Sequence, residues 1–205
     1  MKTIFIESKR RISFDSSKFK EISDKLPKNI AIAYSIQYNG LAEQIKKELS
    51  KYHKITAFVQ VLGCSKPNFS KSQAVLLVSS GRFHAINLAL ETGLPIYIVG
   101  EGKLEKISDE DISNLKKSQK GAYLKFLNSK NVGILVSLKP GQENLKKAIE
   151  TKKRLEKKGK KGYLFIANNI NTSEFENFDI ESWLNTACPR LDMNNSAIIS
   201  IDKIN

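Results

Sequence analysis

The chain has 205 residues, 40% of them hydrophobic, which suits one large domain or two small ones with a real core. No run of about 18 apolar residues occurs, which excludes a helical membrane span, and the stretch Met1-Lys-Thr-Ile-Phe-Ile-Glu-Ser-Lys9 lacks the apolar region of a signal peptide, so a cytoplasmic chain with free thiols is expected. The net charge of +13 invites nucleic acid or an acidic partner, yet the excess is mostly lysine, and its densest run, 152–161, falls at the C-terminal end of a predicted helix, where lysines complement the helix dipole; a nucleic-acid partner is not expected.

In chain order, Ile-Ala-Ile-Ala-Tyr-Ser at 30–35 is an apolar run after Pro27 and reads as a buried strand. Leu41, Ile45, Leu49 and Tyr52 recur at helical spacing and predict a helix over 41–52. Strands are predicted at 55–60, 74–79 and 95–99, with a helix over 83–91 ended by Gly93. Gly100-Glu-Gly-Lys103 is a candidate boundary. Beyond it come a helix over 109–127, a strand at 132–136, a helix over 142–158, strands at 162–167 and 182–187, and a short edge strand at 198–201. Such alternation indicates parallel sheets covered on both faces. The expected fold class is α/β, with two small doubly wound parallel-sheet units packed as loose repeats over 1–104 and 105–205.

Ligands of such sheets bind beyond the carboxyl ends of the strands. Four loops lie there: Leu62-Gly63-Cys64, Ser79 to His84, Ser137 to Gln142, and Cys188-Pro189-Arg190. They converge on one crevice if the two units face each other. Cys64 and Cys188 belong to no Cys-x-x-Cys pair, which excludes a zinc ribbon or a thioredoxin-type site. Two readings of them stand side by side, inert buried cysteines or ligands of an iron–sulfur cluster drawn from distant parts of the chain. Ser79-Ser80-Gly81-Arg82 opens a helix; its backbone N–H groups and Arg82 suit a carboxylate or phosphate, and an ordinary serine cap is the alternative. His84 reads as a capping or packing residue before an acid or a ligand. Ser137-Leu-Lys139-Pro140-Gly141-Gln142 repeats the design. There, Lys139 and Gln142 suit the polar end of an amino acid, and a tight turn requiring Pro140 and Gly141 is the plainer account. His53 reads as exposed and without a role. No Ser–His–Asp, P-loop or paired-carboxylate pattern is present, and Gly100-Glu-Gly102 lacks the helix of a nucleotide fingerprint.

Taken together and in order, Val-Leu-Gly-Cys64, Ser-Gly-Arg-Phe-His84 with Ala-Leu-Glu-Thr-Gly-Leu-Pro95 behind it, Gly-Ile-Leu-Val-Ser-Leu-Lys-Pro-Gly-Gln142 and Asn-Thr-Ala-Cys-Pro-Arg-Leu191 resemble the archaeal diphthamide synthase family, the 2-(3-amino-3-carboxypropyl)histidine synthases. The resemblance runs from about Ile30 to Leu191 and implies a specific chemistry. Members have three related α/β domains, each giving one cysteine to a single [4Fe–4S] cluster whose open iron takes S-adenosylmethionine. Reductive cleavage of the bond from sulfur to the methionine Cγ gives a 3-amino-3-carboxypropyl radical, which adds to C2 of a histidine imidazole on translation elongation factor 2. By this resemblance Cys64 and Cys188 are metal ligands. Ser80, Gly81, Arg82, His84, Ser137, Lys139, Gly141 and Gln142 line the cofactor pocket, and Arg190 counters the cluster's negative charge. The resemblance extends to the second and third domains only. The first domain and third cysteine are expected from a separate chain of a split enzyme; a homodimer, or a non-catalytic regulatory or ligand-binding paralogue, are the alternatives.

Overall fold

The run Ile30 to Ala33 is completely buried and forms the centre of the first sheet in the computed structural model, which describes residues 17–100, 103–194 and 197–204 with isolated positions before residue 17. Glu101 and Gly102 of the candidate boundary, and most of the first nine residues, lie outside the described residues. The chain divides into two units, Met1–Ile112 and Ser113–Asn205.

In the first unit, β1 (Asn29–Tyr34), β2 (Lys54–Gln60), β3 (Ala74–Val78) and β4 (Ile96–Val99) are parallel, and β5 (Leu104–Lys106) adds antiparallel to β4, giving the order β2-β1-β3-β4-β5. Ile30 and Ile32 point to one face with Leu76 and Val78, while Ala31 and Ala33 point to the other with Val75 and Leu77. This is the two-residue period of a strand; both faces are buried, so no polar alternation shows in the sequence. The first face is covered by α1 (Lys18–Asp24) and α2 (Asn39–Leu49) through Ile22, Leu41, Ile45 and Leu49. The second is covered by α3 (Arg82–Thr92) through Ala85, Leu88 and Ala89.

This unit runs past residue 104, because β5 hydrogen-bonds to β4 and Ile107 and Ile112 pack into the same core. Its limit falls inside α4 (Asp109–Asn128). His53 is half-buried rather than exposed. Its Nδ1 donates to the Pro27 carbonyl at 2.9 Å and its Nε2 pairs with the Ser23 hydroxyl at 2.8 Å, tying α1 to the start of β2.

In the second unit, β6 (Asn131–Ser137), β7 (Lys161–Ala167), β8 (Ser182–Asn185) and β9 (Ile198–Ser200) are all parallel, in the order β7-β6-β8-β9. On one face α4 and α5 (Leu145–Lys157) place Phe126, Ala148 and Leu155 against Val132, Ile134 and Leu184. Among the described residues, no long helix covers the other face. The crossover from β7 to β8 is a 3-10 segment, Thr172–Asn177, and aromatic rings fill the layer, with Phe175 stacked on Trp183 at 3.9 Å between centroids. Glu181 fastens the start of β6 by accepting from the backbone N–H groups of Lys130 (2.5 Å) and Asn131 (2.7 Å), bonds that hold its carboxyl below the usual carboxylate range. Among the described residues no helix is long and apolar enough to cross a membrane.

Within the lysine-rich run, Lys160 is not simply solvated. Its ammonium donates to the carbonyls of Phe126 (3.1 Å), Leu127 (2.9 Å) and Ser129 (2.5 Å) at the C-terminal end of α4. Those carbonyls carry the negative end of the helix dipole. Lys160→Met keeps the stem and removes the donor. It is expected to lower stability by about 1–2 kcal/mol, read as a lower urea midpoint, whereas Lys153→Met on the exposed face leaves the midpoint unchanged.

Candidate functional site

In the first unit, β2 gives way to buried Val61 and then a turn in which the Leu62 N–H donates to the Ser65 hydroxyl (2.8 Å) and the Ser65 N–H to the Leu62 carbonyl (3.0 Å). Cys64 stands exposed on this turn as a free thiol, four residues beyond the strand rather than at its end. The turn is seated on α3. A Cβ on Gly63 would lie 2.2 Å from Cε1 of Phe83, so any side chain there would have to displace that ring, and the Gly63 carbonyl accepts from Nδ2 of Asn87 at 2.8 Å.

Beyond β3, α3 takes Gly81 as its N-cap residue with no side-chain cap, so the serine-cap reading does not hold. The His84 ring packs over Gly81, where a Cβ would lie 2.8 Å from Nδ1, and meets Phe83 edge-on. Arg82 is already engaged: its guanidinium pairs with Glu105 and, at 2.8 Å, with Asp111. Asp111 is in turn held below the usual carboxylate range by the Ser108 hydroxyl and by Arg82. Ser80 and Arg82 line a shallow cavity of about 310 Å³ with Lys103 and Glu105.

The second unit has a fuller arrangement. Ser137, Lys139, Gln142, Cys188 and Arg190 line one cavity of about 340 Å³ beyond the carboxyl ends of β6, β7 and β8. Asn168 and Asn169, just after β7, line it too; the polar cluster Asn-Asn-Ile-Asn following a predicted strand was the signal for them. The turn after β6 is preformed, with the Lys139 N–H on the Ser137 hydroxyl (3.2 Å), the Gln142 N–H on the Lys139 carbonyl (3.0 Å), and Gly141 at φ 79. That turn consumes residues up to Asn144, so α5 starts at Leu145 rather than at 142.

Cys188 is half-buried, three residues past β8. Its turn hangs on a dense set of bonds. Thr186 donates to the Leu135 carbonyl through both N–H (3.2 Å) and hydroxyl (2.8 Å), and Asn144 donates to the Thr186 carbonyl (2.8 Å). The buried amide of Asn185 donates to the Cys188 carbonyl (2.8 Å) and to Oδ1 of Asp192 (2.7 Å), and accepts from the Ala187 N–H (2.8 Å). Cys64 lines neither cavity, and among the described residues no group of three His, Cys, Asp or Glu side chains could hold a metal ion.

A family model described as "Putative diphthamide synthesis protein" matches residues 1–197. The curated 2-(3-amino-3-carboxypropyl)histidine synthase of Pyrococcus horikoshii is 26% identical over 207 residues, covering 93% of this chain and 59% of that protein. Subunit 1 of the synthase of Caenorhabditis elegans is 27% identical over 139 residues, covering 65% of this chain and 35% of that protein. Among solved structures, Dph2 from Pyrococcus horikoshii with a 4Fe-4S cluster matches with a TM-score of 0.74 at 24% identity, over 90% of this chain and 58% of that one. A second structure of Dph2 from the same organism gives 0.78 at 23% identity, over 93% and 60%. The α/β fold is therefore shared with those structures, and this chain spans 59% of the length of the archaeal synthase.

Asp192 lies beneath the Cys188 turn, 3% exposed. Burial pushes its carboxyl from 3.8 up to about 6, against the opposing pull of the Asn185 amide, Lys203 and the Ser200 N–H. Between those values the folded chain holds a proton that the unfolded chain has released. Stability therefore falls as pH rises through this window and is flat above it. The expected loss is on the order of 3 kcal/mol. Urea titrations from below to above the window should show that slope, and Asp192→Asn should remove it.

Proposed function

This chain belongs to the diphthamide synthesis protein family, and on that premise we propose that it is one component of a [4Fe–4S], S-adenosylmethionine-dependent transferase. The group moved is 3-amino-3-carboxypropyl, and the acceptor is a histidine of translation elongation factor 2, in the first step of diphthamide biosynthesis. The observation that carries this reading is one accessible thiol beyond the carboxyl ends of the parallel strands in each unit. In this reading the two units correspond to the second and third α/β domains of the family.

The donors suit the cluster in part. Thiolate sulfur is what such clusters bind, and both cysteines are free. Two thiols do not complete a ligand set, so in this reading at least one more thiolate comes from outside these 205 residues, and a partner chain of a split enzyme is the source we propose. When bound, the cluster supplies an electron and an open iron site for the methionyl end of the cofactor. The chain itself binds and orients. Lys139 and Gln142, on their preformed turn, bring an ammonium and an amide to a carboxylate in the cavity of the second unit. Asn168 and Asn169 add neutral hydrogen-bonding groups to the same wall. Arg190, two residues from Cys188, offsets the negative charge of a metal-bound thiolate. Arg82 contributes only if its bonds to Glu105 and Asp111 are exchanged for a ligand.

A second reading, a non-catalytic regulatory or ligand-binding paralogue, draws on the lack of a three-ligand group among the described residues. Anaerobic reconstitution with iron and sulfide separates the two. The transferase reading expects a thiolate-to-iron absorption band that Cys64→Ala and Cys188→Ala each largely abolish. It also expects cleavage of S-adenosylmethionine under dithionite once the partner chain is added. A band indifferent to both substitutions sinks the ligand assignment, and a cluster that never cleaves the cofactor favours the paralogue.

A further inference from the structure

Both thiol loops are held by the same device. Asn87, on α3, donates its side-chain amide to the carbonyl of Gly63, the residue before Cys64, at 2.8 Å. Asn185, at the end of β8, donates its amide to the carbonyl of Cys188 itself, also at 2.8 Å. The two asparagines reach their loops by different routes, one across 24 positions of sequence and the other from three residues upstream. In each case the group gripped is a backbone carbonyl at or beside the thiol.

The amide orientations follow from chemistry. The NH2 of Asn185 faces two acceptors, the Cys188 carbonyl and Oδ1 of Asp192, while its oxygen faces the Ala187 N–H. A flipped amide would set oxygen against both acceptors. Asn87 faces a carbonyl, so its NH2 must point there. The Cys64 loop has a second seat as well, since Gly63 packs closely against the Phe83 ring.

We propose that Asn87 and Asn185 are the positioning residues of the two thiols, fixing the backbone so that each sulfur is presented in a set place before any metal arrives. A cysteine side chain has one torsion that moves its sulfur. With the backbone held, the sulfur is confined to three staggered positions; with the loop free, it is spread over many. Outer partners that orient metal ligands act on affinity in this way. The proposal rests on the reading of Cys64 and Cys188 as cluster ligands.

The test uses the metal-free chain first. With an aromatic disulfide as probe, Cys64 is followed in a Cys188→Ser background and Cys188 in a Cys64→Ser background. Asn87→Leu keeps the approximate volume, adds no charge and loses the donor. It is expected to speed reaction at Cys64 roughly fivefold, the equivalent of one net hydrogen bond, with Cys188 unchanged. Asn185→Ser is expected to do the reverse. If Asn185→Ser unfolds the second unit, Asp192→Ala, which removes the acceptor that orients the amide, takes its place with the same selectivity expected. Asn128→Asp breaks a bond of the same kind, to the Leu124 carbonyl at 3.0 Å, and leaves both thiols unchanged. Equal acceleration of both thiols, or none, overturns the proposal.

Iron loading then separates the two ideas. In chains that keep both cysteines, the asparagine variants are expected to bind iron about 10–100-fold more weakly. If the thiol effects are selective but Cys64→Ala and Cys188→Ala leave iron uptake untouched, the ligand reading fails and the positioning of the thiols stands. If the cysteine substitutions abolish iron uptake and the asparagine variants match wild type in both assays, the positioning fails alone.

Discussion

Parallel strands end together, and that constraint organises everything else in this chain. β1 pairs in parallel with β2 and β3, β3 with β4, β6 with β7 and β8, and β8 with β9. Each sheet therefore delivers its strand ends to one edge, where the ladder stops and backbone and side chains turn outward. Within each unit the residues able to do chemistry follow that edge by a few positions. The opposite edge carries bonds that serve stability. There Glu181 accepts two N–H groups at the start of β6, His53 bonds to the Pro27 carbonyl next to the start of β2, and the Thr56 and Ser72 hydroxyls meet at 2.6 Å. The strand starts thus carry anchorage alone, whereas beyond the strand ends chemistry and anchorage share residues, as Asn185 and Asp192 do beneath the Cys188 turn.

The parts legible in the sequence were those where burial writes a strong pattern. The strand at Ile30 and the helix carrying Leu41, Ile45 and Leu49 stand out because their apolar residues must reach a core. The parts that escaped have little core to reach. The seven residues of α1 bury only Ile22. β5 is Leu-Glu-Lys, too short and too polar to show a period, and it pairs antiparallel at the sheet edge, where a charged strand is tolerated. The 3-10 segment after β7 replaces a helix with aromatic side chains, which no periodicity could indicate.

At the site, residue types were easier to read than their partners. Ser137, Lys139, Gln142, Cys188 and Arg190 were nominated from motifs, and they do line one cavity. Arg82 was nominated for its charge, but its carboxylate partners come from positions 105 and 111, which local sequence does not connect to it. His53 was read as exposed after a helix end, because its partners Ser23 and Pro27 lie 30 and 26 positions away in sequence. Asn87, a lone amide on a largely apolar helix, carried no signal until its carbonyl partner was seen. Asp192 shows the same limit in reverse. Nothing in the local sequence marks it, and only the surrounding burial makes it a titrating group.

Protein donors meet three backbone carbonyls around the turn that carries Cys188. Leu135, Thr186 and Cys188 each give a carbonyl to a donor from this same chain. If the proposed cluster binds there, it is a guest of the fold and not its staple, unlike small domains in which metal affinity and folding are one quantity. Such a loop has its shape before any metal is bound, so loading the proposed cluster asks for no refolding.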